Sequence, residues 1–291
     1  MRILVTGKNG QVGSELSRLY RSRSDVLLAG RDECDLSRES SIRAAVRRVE
    51  PTIIINAGAY TAVDKAETDQ PLCFAVNAAA PGVLAQEAAR LDALLIHYST
   101  DYVFNGEKPD PYRESDPIGP VSVYGASKAA GEAAIAEAGG RYLVLRTSWV
   151  YAAHGKNFLI TMLRLGAERP DLRVVDDQFG SPTSAAAIAS ATVRLVEQFT
   201  APPPGIYHMT AAGSTSWCGF ARSIFGAGLL SPQPRLHAIP SSDYPTPARR
   251  PANSVLNNDK FAHVFGFRLP SWQKQLDEVL AGLQLTNGVN R

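Results

Sequence analysis

Short apolar runs alternate with stretches of helical period along the first sixty residues. Residues 1–6, 25–30 and 52–56 are apolar runs of strand length. Between them, apolar side chains recur three or four positions apart, which is typical of amphipathic helices. Because strands that alternate with helices usually form parallel βαβ units, this pattern predicts an α/β fold.

The alternation continues to the end of the chain, and it predicts a Rossmann-type doubly wound parallel sheet with a smaller interleaved substrate-binding domain. We expect residues 1–150 plus about 182–210 to form the dinucleotide-binding domain, and about 151–181 plus 211–291 the substrate-binding domain. Further strands are predicted at 93–98, 141–146 and 206–209, and helices at 40–49, 72–90, 124–138, 158–167, 184–199, 217–225 and 272–283.

A glycine loop joins the first strand to the first helix. In Gly7-Lys8-Asn9-Gly10-Gln11-Val12-Gly13, Gly7 allows a tight turn, Gly10 lets a pyrophosphate approach the backbone, and Gly13 lets the helix lie close to the strand. The phosphates would lie at the positive end of the helix. The spacing is GxxGxxG, so a glycine-rich turn of another α/β protein is the alternative to dinucleotide binding.

The end of the second strand bears on the choice of cofactor. An acidic residue there would bond the ribose hydroxyls of NADH, but this strand ends in Gly30-Arg31, and Arg31 would suit the 2′-phosphate of NADPH. A solvated Arg31 is the alternative, and the adjacent Asp32 leaves NADH as an alternative cofactor. Asp35 either accepts a bond from the adenine amino group or caps the next helix. The small segment Ala59-Tyr60-Thr61 supplies further candidate cofactor contacts.

Three residues predict proton-transfer chemistry. Thr100 follows the fourth strand, and Tyr124 and Lys128 are four positions apart on one helix face. We expect the Lys128 ammonium to lower the Tyr124 pKa toward neutrality, so that Tyr124 protonates a developing alkoxide while Thr100 holds the same oxygen. A surface helix pair is the alternative. The loop 106–120 is a candidate lid over these residues.

Composition argues against several classes of function. Charged residues make up 20% of the chain and its formal net charge is +2, so neither nucleic acid nor a membrane surface is an expected partner. The three cysteines are widely separated and the five histidines show no ligand spacing, which predicts neither disulfides nor a metal site. With no signal peptide or membrane-length apolar run, we expect a cytoplasmic protein.

Two further features of the sequence suit a nucleotide-sugar. The adjacent guanidinium groups of Arg249 and Arg250 would bind a diphosphate, with a solvated pair as the alternative. Trp149 would stack on a sugar or base ring, or else pack in the core.

Six sequence blocks resemble the dTDP-4-dehydrorhamnose reductase family, within the extended short-chain dehydrogenase/reductases. The resemblance covers nearly the whole chain. The blocks are residues 7–13, 56–67, 99–104, 146–151, Asp177-Gln178-Phe179-Gly180-Ser181-Pro182-Thr183 and Tyr244-Pro245-Thr246-Pro247-Ala248-Arg249-Arg250-Pro251.

The resemblance implies reduction of the 4-keto group of dTDP-4-dehydro-β-L-rhamnose by NADPH or NADH, the last step in making dTDP-L-rhamnose. It implies that Tyr124 is the proton donor, that Lys128 is its partner and binds the nicotinamide ribose, and that Thr100, Asp101 and Trp149 contact the substrate. The cofactor positions it implies are Gly10, Gln11, Val12, Asp35, Leu36, Ala59, Tyr60, Thr61 and Tyr98.

Several alternatives remain open within this resemblance. Another nucleotide-sugar reductase, an epimerase or a non-catalytic regulatory subunit would share much of the pattern, and the chain would be a monomer or a homodimer. Some members form magnesium-linked dimers through glutamates. Glu15 matches one such position, whereas Ser184-Ala185-Ala186-Ala187 lacks another, which argues against that dimer here.

Overall fold

The fold is centred on a six-stranded parallel sheet. The computed structural model describes residues 1–199 and 201–289, and the side chains of residues up to 283. The strands are β1 (Ile3–Thr6), β2 (Val26–Ala29), β3 (Ile53–Asn56), β4 (Leu94–Thr100), β5 (Arg141–Thr147), β6 (Val150–Tyr151), β7 (Asp171–Val175), β8 (Phe179–Gly180), β9 (Thr183–Ser184), β10 (Gly205–His208), β11 (Thr215–Ser216) and β12 (Arg235–Ile239).

The sheet order is β10-β5-β4-β3-β1-β2. Strands β1, β3 and β4 are buried along their whole length, as expected for parallel strands that are covered on both faces. Strands are added in opposite directions on the two sides of the β1–β3 pair, so the carboxyl ends of these two strands border the crevice where this fold binds its ligands. The predicted Rossmann-type sheet is confirmed.

Helices cover both faces of the sheet. They are α1 (Gln11–Tyr20), α2 (Glu39–Val49), α3 (Val63–Ala66), α4 (Gln70–Phe74), α5 (Ala80–Arg90), α6 (Val123–Ala138), α7 (Phe158–Glu168), α8 (Ala185–Gln198), α9 (Trp217–Gly226), α10 (Asp259–Phe265) and α11 (Trp272–Val289), with short 3₁₀ turns at Asp101–Val103 and Ser241–Asp243.

The long helix predicted at residues 72–90 is divided in two by a π-helical turn, Ala75–Ala79, between α4 and α5. Asn77 lies on that turn and is fully buried. Its amide bonds both the N–H and the carbonyl oxygen of Tyr60, each at 2.9 Å. The extra residue of the turn thus lets Asn77 hold the segment that follows β3, which periodicity alone does not reveal.

Apolar side chains form a cluster on each face of the sheet and another away from it. One sheet face packs on α1 and α8 through residues such as Leu16 and Ile188, and the other on α2 and α5 through Ile42 and Leu84. The third cluster joins α7, α9 and α11 with the β7–β12 pair. Strands β4 and β5 contribute to both clusters on the sheet, whereas the third cluster contains no residue of these strands.

Candidate active site

The structure brings Thr100 and Tyr124 together. Ser122 caps α6 by accepting a hydrogen bond from the N–H of Gly125, which places Tyr124 in the first helical turn. A Cβ on Gly125 would clash with the carbonyl oxygen of Tyr102, so glycine lets α6 approach the end of β4. The Thr100 hydroxyl lies beside the Tyr124 hydroxyl and donates to Oδ1 of Asp101 at 3.0 Å.

Lys128 is buried one turn further along α6, with 2% of its surface exposed. Its Nζ donates to the carbonyl oxygen of Tyr98 at 2.6 Å and lies 3.1 Å from Nε2 of His97. Removal from water disfavours the ammonium form and lowers the pKa of Lys128 to about 8. Lys128 is therefore a buried amine held at the end of β4.

The expectation that Lys128 lowers the Tyr124 pKa is wrong in this structure. Burial raises the pKa of Tyr124 above its ordinary value, and the neighbouring Thr100 hydroxyl opposes that rise only in part. The Nζ of Lys128 is instead directed at the carbonyl oxygen of Tyr98 and at the His97 ring. Tyr124 is thus a protonated phenol here, which suits a proton donor.

Asp101 is a buried carboxylate next to these hydroxyls. Its Oδ2 accepts from the Ser148 hydroxyl at 2.9 Å, and its Oδ1 from that of Thr100. Desolvation raises the pKa of Asp101 to about 6, although hydrogen bonds from Ser254, Ser148 and Thr100 oppose the rise. Asp101 therefore titrates close to neutral pH and fixes the orientation of the Thr100 hydroxyl.

The raised pKa of Asp101 predicts a pH-dependent stability. The folded protein binds the Asp101 proton more tightly than the unfolded chain, so this group's contribution falls as pH rises from about 4 to about 6. Relative to Asp101→Asn, the wild type is expected to lose about 3 kcal/mol of unfolding free energy over that window. Urea unfolding at several pH values measures this, with Asp110→Asn on the exposed loop as control. Parallel pH curves for wild type and Asp101→Asn would contradict it.

A chain of buried polar side chains behind Lys128 was missed by the sequence analysis. The Asn56 amide lies 3.0 Å from Nδ1 of His97 and accepts from the Thr6 hydroxyl at 2.7 Å. Burial and the Lys128 ammonium hold the pKa of His97 well below its usual range, so its imidazole is neutral. The polar residues at the carboxyl ends of β1, β3 and β4 could have predicted this chain of side chains, because these strand ends meet at one edge of the sheet.

A buried ion pair lies beneath the same residues. Arg146 on β5 makes two hydrogen bonds with Glu132 on α6, at 2.9 and 2.6 Å, and Ser99 on β4 donates to Oε1 of Glu132 at 2.5 Å. The Arg146 guanidinium also lies over the Phe104 ring. This group ties α6 to the two strands whose ends carry Thr100 and Trp149.

The glycine loop has the geometry that a pyrophosphate requires. A Cβ on Gly13 would clash with the carbonyl oxygen of Gly7, so the third glycine lets α1 lie against the loop. Gly7 has φ +74°, which favours glycine. Gly10 caps α1 with no side-chain hydrogen bond to the helix N–H groups, which leaves them available to phosphate oxygens. The residues present therefore fit a dinucleotide.

A cavity of about 260 Å³ adjoins the loop, and its lining includes five predicted cofactor residues besides Gly7. The Arg31 guanidinium lies 3.7 Å from the Asp35 carboxylate and is 76% exposed. Asp35 also accepts from the N–H and hydroxyl of Ser37 and pairs with Arg38 at 3.1 Å, a cation that the sequence analysis missed. The five predicted residues in this lining are Arg31, Asp35, Leu36, Ala59 and Tyr60.

The other predicted cofactor residues lie nearby in the crevice or in its wall. The Gln11 side chain bonds the carbonyl oxygen of Val150 and accepts from Asn157. Val12 packs against the sheet, and Thr61 is exposed. The Tyr98 hydroxyl bonds Thr192 at 2.8 Å on the far side of β4, so Tyr98 faces Lys128 only through its carbonyl oxygen.

A larger cavity of about 670 Å³ lies beside the third apolar cluster. Trp217 and Phe158 line it, and Trp149, at φ +48°, stacks on Trp217 with ring centroids 3.5 Å apart. Arg250 also lines it, but its guanidinium is paired with Asp64 at 2.9 Å. Arg249 is exposed and does not line this cavity. The structure thus brings Arg250 to the cavity and leaves Arg249 outside.

Neither a metal cluster nor a membrane span is present in the described part of the chain. Within residues 1–199 and 201–289, no group of three or more histidine, cysteine, aspartate or glutamate side chains could hold a metal ion. The Glu15 carboxylate bonds Arg18 at 3.0 Å and lies 3.4 Å from His154. In those same residues, no helix combines the length and apolar character needed to cross a membrane.

Comparison with known proteins identifies relatives over almost the full length. The family described as RmlD substrate binding domain matches residues 1–285. The dTDP-4-dehydrorhamnose reductase of Burkholderia thailandensis is 50% identical, with 94% of this chain and 96% of the relative covered. That of Escherichia coli K12 is 42% identical, with 99% and 100% covered.

A solved structure agrees with these relatives. The crystal structure of dTDP-4-dehydrorhamnose reductase from Bacillus anthracis in complex with NADP has a TM-score of 0.90 and 34% identity, with 97% of this chain and 99% of that chain covered. The UDP-glucose 4-epimerase of Thermus thermophilus in complex with NAD, at 23% identity and a TM-score of 0.77, shares the fold alone.

Proposed function

The chain belongs to the RmlD substrate binding domain family, whose curated relatives include dTDP-4-dehydrorhamnose reductases, and on this premise we propose the reaction it catalyses. It reduces the 4-keto group of dTDP-4-dehydro-β-L-rhamnose to give dTDP-L-rhamnose, the last step of dTDP-L-rhamnose synthesis. NADPH supplies the hydride, and NADH is the alternative donor. The neighbouring Thr100 and Tyr124 hydroxyls, one helical turn from buried Lys128, are the observation that carries this proposal.

Tyr124 donates the proton that the substrate oxygen requires. Burial keeps its hydroxyl protonated until a negative charge develops on that oxygen. The Thr100 hydroxyl positions this group from one side, and Asp101 fixes Thr100 in turn. Lys128, held beside Tyr98 and His97, provides a donor for the nicotinamide ribose.

Cofactor and substrate are held on opposite sides of these groups. Gly7, Gly10, Gly13 and the start of α1 accommodate the pyrophosphate, and Arg31 attracts the 2′-phosphate. The substrate diphosphate and base enter the larger cavity, where Trp217, stacked on Trp149, offers an aromatic surface and Arg250 a guanidinium. Arg249, which lies outside the cavity, approaches the diphosphate only from its exposed rim.

The domain division is part of the proposal. Residues 1–150 with about 182–210 bind the dinucleotide, and about 151–181 with 211–291 bind the substrate. The third apolar cluster supports the second unit, since it joins α7, α9 and α11. Phe261 and Phe265 of α10, in contrast, pack with the sheet, so the segment 211–291 contributes to both sides. We place the protein in the cytoplasm, as a monomer or homodimer.

The decisive experiment supplies purified protein with NADPH and enzymatically generated dTDP-4-dehydro-L-rhamnose. NADPH absorbance is expected to fall in proportion to the sugar consumed, with dTDP-L-rhamnose identified by NMR. Sugar conversion without net NADPH oxidation would indicate an epimerase. Cofactor binding without turnover, on this and related keto-sugars, would indicate a regulatory subunit and contradict the proposal.

A further inference from the structure

We propose that Lys8 and Glu33 form the switch that sets discrimination between NADPH and NADH. This inference rests on the proposed nicotinamide-dependent function but concerns residues to which it gives no role. Lys8 lies within the glycine loop, and Glu33 follows the end of β2 by four residues. The two side chains form an ion pair that covers the end of that strand.

The pair is anchored at the backbone of Gly30. Lys8 Nζ donates to Oε1 of Glu33 at 2.6 Å, and Oε2 of Glu33 accepts from the N–H of Gly30 at 2.7 Å. A Cβ added to Gly30 would lie 3.0 Å from Cε of Lys8 and 3.1 Å from that same Oε2. Both side chains therefore lie directly on Gly30.

This position borders the place where the adenosine ribose of a dinucleotide lies. In doubly wound folds an acidic residue at the end of the second strand bonds the ribose hydroxyls, and an arginine nearby receives a 2′-phosphate. Here Gly7, Gly30 and Arg31 line the same cavity. Glu33 supplies the carboxylate by folding back onto the strand end, while Lys8 and Arg31 supply cations.

The Glu33 carboxylate occupies a set of donors that also suits a phosphate. It accepts one backbone N–H and one ammonium group, which are typical phosphate ligands. The 2′-phosphate of NADPH carries up to two negative charges, so it repels Glu33 and competes for Lys8. The ribose hydroxyl of NADH donates to a carboxylate and leaves the ion pair intact.

Other charges at this strand end have different partners. Asp35 is held by Ser37, Arg31 and Arg38, and Asp32 is exposed. The ion pair itself is partly exposed, at 32% for Lys8 and 40% for Glu33, so a nucleotide can reach it. Removal of either charge should therefore change the affinity for one cofactor more than for the other.

Equilibrium binding measured by the fluorescence of NADPH and NADH, without any sugar present, tests this switch. Lys8→Met is expected to raise the Kd for NADPH about tenfold, as for loss of one charge-assisted hydrogen bond, and to change the Kd for NADH less than about twofold. Glu33→Gln keeps an acceptor for Gly30 but removes the charge, and is expected to lower the Kd for NADPH about threefold or more.

Lys274→Met and Glu137→Gln, both on exposed helix surface, are the charge-matched controls and should leave both Kd values unchanged. Equal changes for the two nucleotides in Lys8→Met would overturn the proposal, as would an unchanged NADPH Kd in Glu33→Gln. If the wild type bound both nucleotides but did not oxidise NADPH when the sugar was added, the proposed reductase function would be wrong and the proposed role of Lys8 and Glu33 would be unaffected. Failure to bind either nucleotide would overturn both.

Discussion

Tyr124→Phe is expected to lower kcat by about 10²–10⁴-fold, the usual contribution of a positioned proton donor. The substitution removes one hydroxyl and keeps the ring, which packs edge-to-face on Tyr102 at 6.0 Å. The Thr100 hydroxyl keeps its bond to Asp101, so the surrounding geometry should persist. Steady-state oxidation of NADPH with the keto-sugar measures the effect.

The dissociation constant of NADPH should change little in Tyr124→Phe, because the glycine loop and Arg31 remain. Tyr207→Phe is the matched control, since the Tyr207 hydroxyl donates to the carbonyl oxygen of Pro203, two residues before β10 begins. Its kcat should equal that of the wild type. If Tyr124→Phe retained more than about a tenth of the wild-type kcat, Tyr124 would not be the proton donor.

Glu132→Gln is expected to lower the free energy of unfolding by about 3–5 kcal/mol, the usual cost of leaving one buried charge without its partner. Arg146 has a side-chain exposure of 3%, so water does not reach its guanidinium. His208, 3.5 Å away, offers no negative charge to replace the carboxylate, since burial and Arg146 lower its pKa to about 3 and its imidazole is neutral. Urea unfolding at pH 7 measures the loss.

Two further variants separate the ion pair from general effects of substitution. Glu39→Gln breaks an exposed pair with Arg43 and should cost less than about 1 kcal/mol. The double variant Glu132→Leu with Arg146→Leu removes both charges and should recover most of the loss. If Glu132→Gln were no more harmful than Glu39→Gln, the buried pair would not stabilise the fold.

The fold could be predicted from the sequence because the patterns that indicate strands and helices depend on residues close together in the chain. Apolar runs of four to seven residues predict buried strands, and the observed strands β1 to β5 and β10 lie on those runs. The predicted helices agree within one residue except at 272–283, where α11 continues to Val289, and at 72–90. There the π-helical turn interrupts the pattern, since the bonds of Asn77 to Tyr60 depend on contact with a distant segment.

Candidate residues for the site could also be found in the sequence, but their interactions could not. The spacing of Tyr124 and Lys128 places both on one helix face. The direction of the Lys128 amine, however, depends on the carbonyl oxygen of Tyr98 and on His97, thirty residues earlier. Arg250 likewise pairs with Asp64, a residue 186 positions away.

The sequence by itself determined the parallel α/β architecture, the glycine loop and the residue types that carry the chemistry. Only the tertiary structure decided the direction of the Tyr124 pKa, the pairing of Glu132 with Arg146, and the ion pair of Lys8 with Glu33. Periodicity and spacing depend on neighbours within a few residues, whereas desolvation and charge pairing depend on side chains that meet only when the chain folds.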